Sequence, residues 1–187
     1  LRTDTAVDAT LISALSSTKN AEGERDPEMK QTKKGNNWYF GMKAHIGVTP
    51  PSGLVHTVVG TAANVNDLNF AGQLLHGEEH AAFGDAGYQG VHKRPEAAGP
   101  TWHVAMRPGK RKKLNPFIQP DFMAERVEKM KASIRAKVEH PFRVLKRQFG
   151  FTKVRYRGLA KNTAQIVTLF ALSNLWMARR QLLEAQR

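Results

Sequence analysis

The sequence predicts an α/β fold: a mixed five-stranded sheet with helices on its faces. Three observations lead there. Three short segments rich in Val, Ile, Thr and aromatic residues come early, and two more follow a short helical stretch. The second and third are joined by Pro50-Pro51-Ser52-Gly53, a hairpin-type turn. The last third carries helical rather than alternating periodicity. A hairpin followed by strands joined through helices fits a mixed sheet. Several folds share that description, and pattern alone does not choose among them.

The elements follow in order. Thr5 to Ile12 reads as a strand with one acid, Asp8, inside it. Ser16 to Asn37 is polar, contains Gly23, Pro27 and Gly35, and reads as a long loop. Trp38–Val48 and Leu54–Thr61 are the hairpin strands. Asn66-Asp67 caps a predicted helix to about Leu75, with Leu68, Ala71 and Leu75 on one face. His80 to Gly84 is a short strand that runs into Asp85 and a glycine-containing turn. Trp102 to Met106 is the fifth strand, and Arg107 to Pro120 a basic loop. Met123, Val127, Met130, Ile134, Val138, Phe142, Leu145 and Phe149 form one apolar stripe of a long helix. Pro141 interrupts it without shifting its phase, which predicts a kink rather than a stop. Asn162 to Leu183 is a final helix, apolar on most sides and expected to pack against the sheet. The whole of residues 1–187 reads as a single domain.

Composition narrows the function. The chain has 187 residues, is 41% hydrophobic and 24% charged, and has a pI near 10.3. That balance is globular, not disordered. Lys plus Arg number 29 against 16 Asp plus Glu, a net charge of +13. The surplus is localised: residues 101–161 hold 17 basic and 4 acidic side chains, while residues 1–100 are slightly acidic. Such segregation fits a polyanion, and DNA or RNA phosphates recruit Lys and Arg by counterion release. With no cysteine, a disulfide scaffold, a thiolate nucleophile and a zinc–thiolate site are excluded. The longest nearly apolar stretch, Ile166 to Met177, is too short to span a bilayer as a helix. The first residues, from Leu1, carry no apolar signal region, and the first Met is Met29.

Three acids occupy special places. Asp8 sits inside an apolar strand, where desolvating a carboxylate costs several kcal/mol unless something positive holds it. Asp85 ends a strand just before a turn. Glu139 lies on the basic helix beside the apolar stripe. Taken singly, each has a plain structural role: a solvent-facing strand acid, a turn residue, a helix ion pair with Arg135 or Arg143. Together they are a set able to close around Mg²⁺, which takes oxygen ligands and substrate phosphates. Two such ions about 3.5–4 Å apart clamp both oxygens of an in-line phosphoryl displacement. Arg135, Arg143 and Lys146 flank Glu139 at −4, +4 and +7, on the same helical face and suited to phosphate.

At these residues the sequence resembles the insertion-sequence transposases of the DDE type, specifically the IS5 family within the IS4-like group. The matching text includes VDATLI around Asp8, QTKKGNNWYFGMKAHIGV at 31–48, SGLVHTVVGTAANVND at 52–67, LLHGEEHAAFGDAGYQGV at 74–91 and RAKVEHPFRVLKRQFGF at 135–151. The resemblance implies an RNase H-like fold, with Asp8, Asp85 and Glu139 as the triad holding Mg²⁺ (or Mn²⁺). The group's signature spaces an Arg, a Glu and a Lys as Arg135, Glu139 and Lys146 are spaced here; its Tyr, three residues before the Arg, is replaced by Ala132. The implied partners are DNA, both element ends and target, and a second copy of the chain on that DNA. No membrane is implied, and the setting would be the bacterial cytoplasm and nucleoid. Relatives carry a further N-terminal region tied to DNA binding, so the resemblance implies a catalytic domain without that region.

Lesser features weigh less. His76-Gly-Glu-Glu-His80 lacks the His-Glu-x-x-His order of zinc helices and reads as a polar loop. His45 and His56 read as hydrogen-bonded structural residues, and Tyr88 as a packing residue that could instead stack on a base. Lys110, Arg111, Lys112 and Lys113 form a candidate phosphate-contacting loop beside Arg135, Arg143 and Lys146. Two rivals stand beside a transposase: a metal-dependent nuclease on the same fold, and a non-catalytic DNA-binding remnant.

Overall fold

The computed structural model describes residues 4–185; Leu1–Thr3, read above for a signal segment, and the last two residues lie outside them. The strands are β1 (Asp4–Ser13), β2 (Lys30–Lys34), β3 (Asn37–Thr49), β4 (Leu54–Ala62), β5 (Ala81–Gly84) and β6 (Thr101–Val104). They form one sheet of order β2-β3-β1-β5-β6, with β4 also paired to β3. Pairing of β3 with β1, β2 and β4 is antiparallel. The β1–β5 and β5–β6 pairs are parallel. Antiparallel β4-β3-β1 continued by two short parallel strands is the RNase H-like arrangement.

All five predicted strands are present, and β2 is the sixth. It lies inside the stretch read as a loop. Its sequence, Lys-Gln-Thr-Lys-Lys, has no apolar alternation, and only Thr32 is partly buried. Backbone pairing to Asn37–Gly41 holds it, and its lysines are of the kind that discourages strand addition at a sheet edge.

The predicted helix at 66–75 is instead two successive 3₁₀ turns, Asp67–Phe70 and Gly72–Leu74. Asn66 does cap the first, its side chain accepting from the Leu68 N–H at 3.1 Å. Gly72 sits against the Glu96 carbonyl, where any Cβ would lie only 1.9 Å from that oxygen. The basic loop contains a single helical turn, α1 (Pro108–Arg111).

The long helix, α2 (Gln119–Arg143), runs through Pro141 and passes directly into a π-helical turn, Val144–Gln148. The interruption is absorbed by widening the hydrogen-bond ladder, as Phe149 N–H reaches back five residues to the Val144 carbonyl at 3.1 Å. The predicted apolar stripe is buried only in its second half, at Val138, Phe142 and Leu145. Met123, Val127 and Met130 are exposed. The first half of α2 turns Glu128 and Lys131 inward instead. Glu128 accepts from the Met106 N–H at 2.9 Å and from Lys131 at 2.7 Å, and Lys131 also donates to the Val104 carbonyl. These bonds hook α2 to the end of β6 and set its rotation.

Burial pushes the Glu128 carboxyl up, but the bonds from Lys131 and Met106 prevail and hold it below the usual carboxylate range. Glu128→Ala leaves the half-buried Lys131 ammonium without its carboxylate and the Met106 N–H without its acceptor. It is expected to destabilise the fold by about 2–4 kcal/mol, read from urea unfolding, whereas Glu125→Ala, at the solvent-screened pair with Arg111, should cost clearly less.

The last helix, α3 (Leu159–Glu184), is longer at its start than predicted and packs one stripe rather than most of its surface. Ile166 and Phe170 are buried, while Val167, Leu172, Leu175 and Trp176 are exposed. Its close approach to β4 depends on Gly60, where a Cβ would meet Thr163 Oγ1 at 2.1 Å. Asn174 then brackets the Val55 backbone, accepting its N–H at 2.9 Å and donating to its carbonyl at 2.7 Å. One core cluster joins the sheet to α2 and α3, through Ile46, Val138, Leu145, Ile166 and Phe170 among others. A second, around Val7, Leu74, Tyr88 and Val91, covers the opposite face. Among the described residues no helix is long and apolar enough to cross a membrane.

Candidate active site

Asp8 and Asp85 come together through strand register. Parallel pairing aligns Asp4 with Ala81, Thr5 with Ala82 and Ala6 with Phe83. Two residues further on, Asp8 stands level with Asp85, which follows the last residue of β5. Asp85 caps the turn beyond the strand, accepting from the Gly87 N–H at 2.8 Å. Asp8 pairs across β1–β3 with Ile46, so it shares the sheet face that α2 covers. Its carboxyl is pushed up to about 6: burial acts first, the negative charges of Asp85 and Asp67 add to it, and the Ala9 N–H and Arg135 oppose it. Like charges are thus gathered here beyond what the neighbouring protein cation neutralises.

Arg135, on α2, is close enough to Asp8 to act on its titration. Glu139, one turn further on, is exposed and makes no ion pair with Arg135 or Arg143 among the described residues. It lines an open depression of ≈ 560 Å³ together with Phe142, Arg143, Lys146, Arg147 and Gln148. Lys146 links this depression to β1, its Nζ donating to Thr10 Oγ1 at 2.6 Å and to the Leu11 carbonyl at 3.1 Å. Burial, and then Lys34, hold the Lys146 ammonium below the usual lysine range. Two of the three cations spaced around Glu139 in the sequence, Arg135 and Lys146, therefore act on the Asp8 strand. Glu139 itself does not join Asp8 and Asp85: among the described residues, no group of three His, Cys, Asp or Glu side chains is placed to hold a metal ion.

The neighbourhood includes a residue that sequence reading treated only as a helix cap. Asp67 is ion-paired to Lys43 at 2.8 Å and bears on the titration of Asp8, His45 and Tyr88. His45 is fully buried, bonded to Thr61 Oγ1 at 2.8 Å and stacked on Phe70. Burial first, with Lys43 adding and Asp67 opposing, lowers it to about 4, so it is a neutral structural imidazole. Tyr88 is completely buried and stacks on Trp102, which accords with a packing role and removes it from base stacking. The one available signal for Asp67 was its place two residues beyond a strand-end turn, and that signal fits any 3₁₀ cap equally.

The basic loop is only partly available to phosphate. Arg111 is held by both oxygens of Glu125, at 2.9 and 2.8 Å. Lys110, Lys112 and Lys113 are exposed, with no carboxylate partner among the described residues. In the His76–His80 loop, Glu79 is buried and accepts from the His76 and Gly77 N–H groups and from Thr5 Oγ1. It pins the segment as a polar loop.

An RNase H-like sheet with one aspartate on β1, another at the end of the adjacent parallel strand, and a basic helix beside them defines a phosphoryl-transfer class of domain. A family model described as the transposase DDE domain matches residues 1–175, and the chain belongs to that family. No solved structure matches it significantly. DDE transposases cut and join DNA and generally use divalent metal ions. The residues present fit such an ion in kind: two hard carboxylate oxygens in a surplus of negative charge match the one or two carboxylates with which Mg²⁺ is held beside substrate phosphates.

Proposed function

We propose that this chain is a catalytic domain of the IS5 type. It cuts DNA at the ends of a mobile element and transfers the resulting 3′-hydroxyl to target DNA. The observation that carries this reading is the β1–β5 register, which sets Asp8 beside Asp85 next to the cationic face of α2. Asp8 and Asp85, joined by Glu139 when DNA is bound, would hold Mg²⁺ or Mn²⁺. A divalent cation there supplies Lewis acidity to the phosphoryl oxygens.

The chain's own groups do the rest. In the cut, a water oxygen bonds to phosphorus and the bond to the 3′ oxygen breaks, leaving a 3′-hydroxyl and a 5′-phosphate. In the joining step that hydroxyl attacks a target phosphodiester and displaces the target's own 3′ oxygen. Arg135 beside Asp8 faces the charge that builds on phosphorus-bound oxygens. Lys146, with two of its three N–H groups fixed to β1, keeps one for a phosphate. Arg143 and the loop residues Lys110, Lys112 and Lys113 contact backbone, which sets register rather than sequence. Arg111 joins them on release from Glu125. Two copies on paired DNA ends, in the bacterial cytoplasm, complete the assignment.

A strand-transfer assay with a pre-cut element end tests it. Joined products with Mg²⁺ or Mn²⁺ are expected. Shortened strands alone would make the chain a nuclease, and DNA binding without cleavage would make it a binding remnant. Affinity for duplex DNA should fall steeply with salt, by about 10³-fold between roughly 50 and 200 mM if six phosphates are contacted. A flat response would remove the basic segment from the DNA face.

A further inference from the structure

A second depression adjoins the one that Glu139 lines. It has a volume of ≈ 320 Å³ and lies where the β3–β4 turn, α2 and α3 meet. Its walls include Ser52, Lys137, His140, Arg143, Gln148 and Arg179, and no Asp or Glu. Some basic side chains are neutralised, as in Lys43–Asp67, Lys131–Glu128, Arg111–Glu125 and Arg157–Glu22, whereas Lys110, Lys112 and Lys113 are not. Lys137, Arg143 and Arg179 have no carboxylate partner among the described residues. Arg179 is also held in place: its guanidinium lies 4.5 Å over the Trp176 ring and donates to the Trp176 carbonyl at 2.6 Å.

Arg143 and Gln148 line both depressions. They stand five residues apart across the π turn, and an i→i+5 ladder brings such residues onto one side. An ordinary α-helical turn would direct them apart. The π turn therefore makes one track of the two depressions, lined by Lys137, Arg143, Lys146, Arg147 and Arg179 with Glu139 at one end.

We propose that this second depression is a phosphodiester subsite, in which Lys137 and Arg179 hold the backbone of a DNA strand that continues past Arg143 from the Glu139 depression. The assignment rests on the reading of the chain as a DNA-processing enzyme. It adds where the strand runs and which residues outside the active centre hold it.

The test is the salt dependence of duplex-DNA affinity, read by fluorescence anisotropy. The double variant Lys137→Gln/Arg179→Gln is compared with Lys33→Gln/Lys93→Gln, an equal change of charge at exposed sites outside both depressions. The first pair should lower the log–log salt slope by about 2 and weaken binding about tenfold or more at low salt. The second should do less than half of that. Lys137→Arg/Arg179→Lys should restore the slope, which a merely structural defect would not allow. Equal effects from both pairs, or no effect from the first, would overturn the subsite. Asp85→Asn, assayed alongside, separates the two ideas: lost cleavage there with an unchanged slope in the first pair removes the subsite and keeps the enzyme.

Discussion

Asp85→Asn is expected to abolish Mg²⁺-dependent DNA cleavage, by about 10³-fold or more, while DNA affinity stays within about twofold. The side chain is nearly isosteric, and an amide oxygen can still accept the Gly87 N–H that the carboxylate now accepts. The turn after β5 is therefore kept, and only the charge is removed. Binding is carried elsewhere, by the cations of α2 and the loop before it, so it should survive. Single-turnover cleavage and anisotropy on the same preparation check both halves. Unchanged cleavage would remove Asp85 from the chemistry, and lost binding would make it a structural residue.

Asp8→Asn should make the cation-free protein more stable. Folded Asp8 titrates near 6, against 3.8 for an ordinary Asp, because burial and neighbouring acids oppose its charge. Between those values the folded state keeps a proton that the unfolded chain releases. Stability therefore falls as pH rises through the window, and above about pH 6 the penalty reaches about 3 kcal/mol. Removing the charge relieves that penalty near neutral pH and gains nothing near pH 4.

His45 works in the opposite sense. Its folded value of about 4 lies below 6.5, so the unfolded chain takes up a proton as pH falls and stability drops with it. In the native chain the two slopes nearly cancel between about pH 4 and 6. In Asp8→Asn the histidine term is no longer offset, and stability should rise with pH by about 1.4 kcal/mol per unit between about pH 5 and 6, above the range in which Glu79 and Glu128 add to it. Urea unfolding in a chelator, at intervals of half a pH unit, measures this. Parallel profiles for the two proteins would show that Asp8 is not held in a buried, electronegative place. A charge that is costly to fold accords with the role proposed for Asp8, since active centres commonly trade stability for activity.

Much of the fold was legible because apolar alternation and turn residues mark β1, β3, β4, β5 and β6 directly. β2 was not, because nothing but backbone pairing holds a run of lysines and polar residues to β3. The rotation of α2 was not legible either. Its apolar residues keep helical phase from Met123 to Phe149, yet a buried Glu128 bonded to the Met106 N–H just beyond β6 outweighs three of them. Periodicity records which residues are apolar, not which polar residue will find a partner. The site shows the same division. Asp8 was conspicuous as an acid in an apolar strand, but its distance from Asp85 follows from a parallel register that no local pattern encodes. Family resemblance supplied that pairing, and the register accounts for it. Asp67 went unrecognised because its influence on Asp8 depends on where the segment after β4 folds back.

The most direct test is the location of Mn²⁺ by anomalous diffraction, from crystals of the protein bound to a DNA end. The ion should sit between the carboxylates of Asp8 and Asp85, with Glu139 drawn onto it or onto a second ion beside it. Ions found elsewhere, or none on those two aspartates at a Mn²⁺ concentration that supports cleavage, would contradict the paired-aspartate centre.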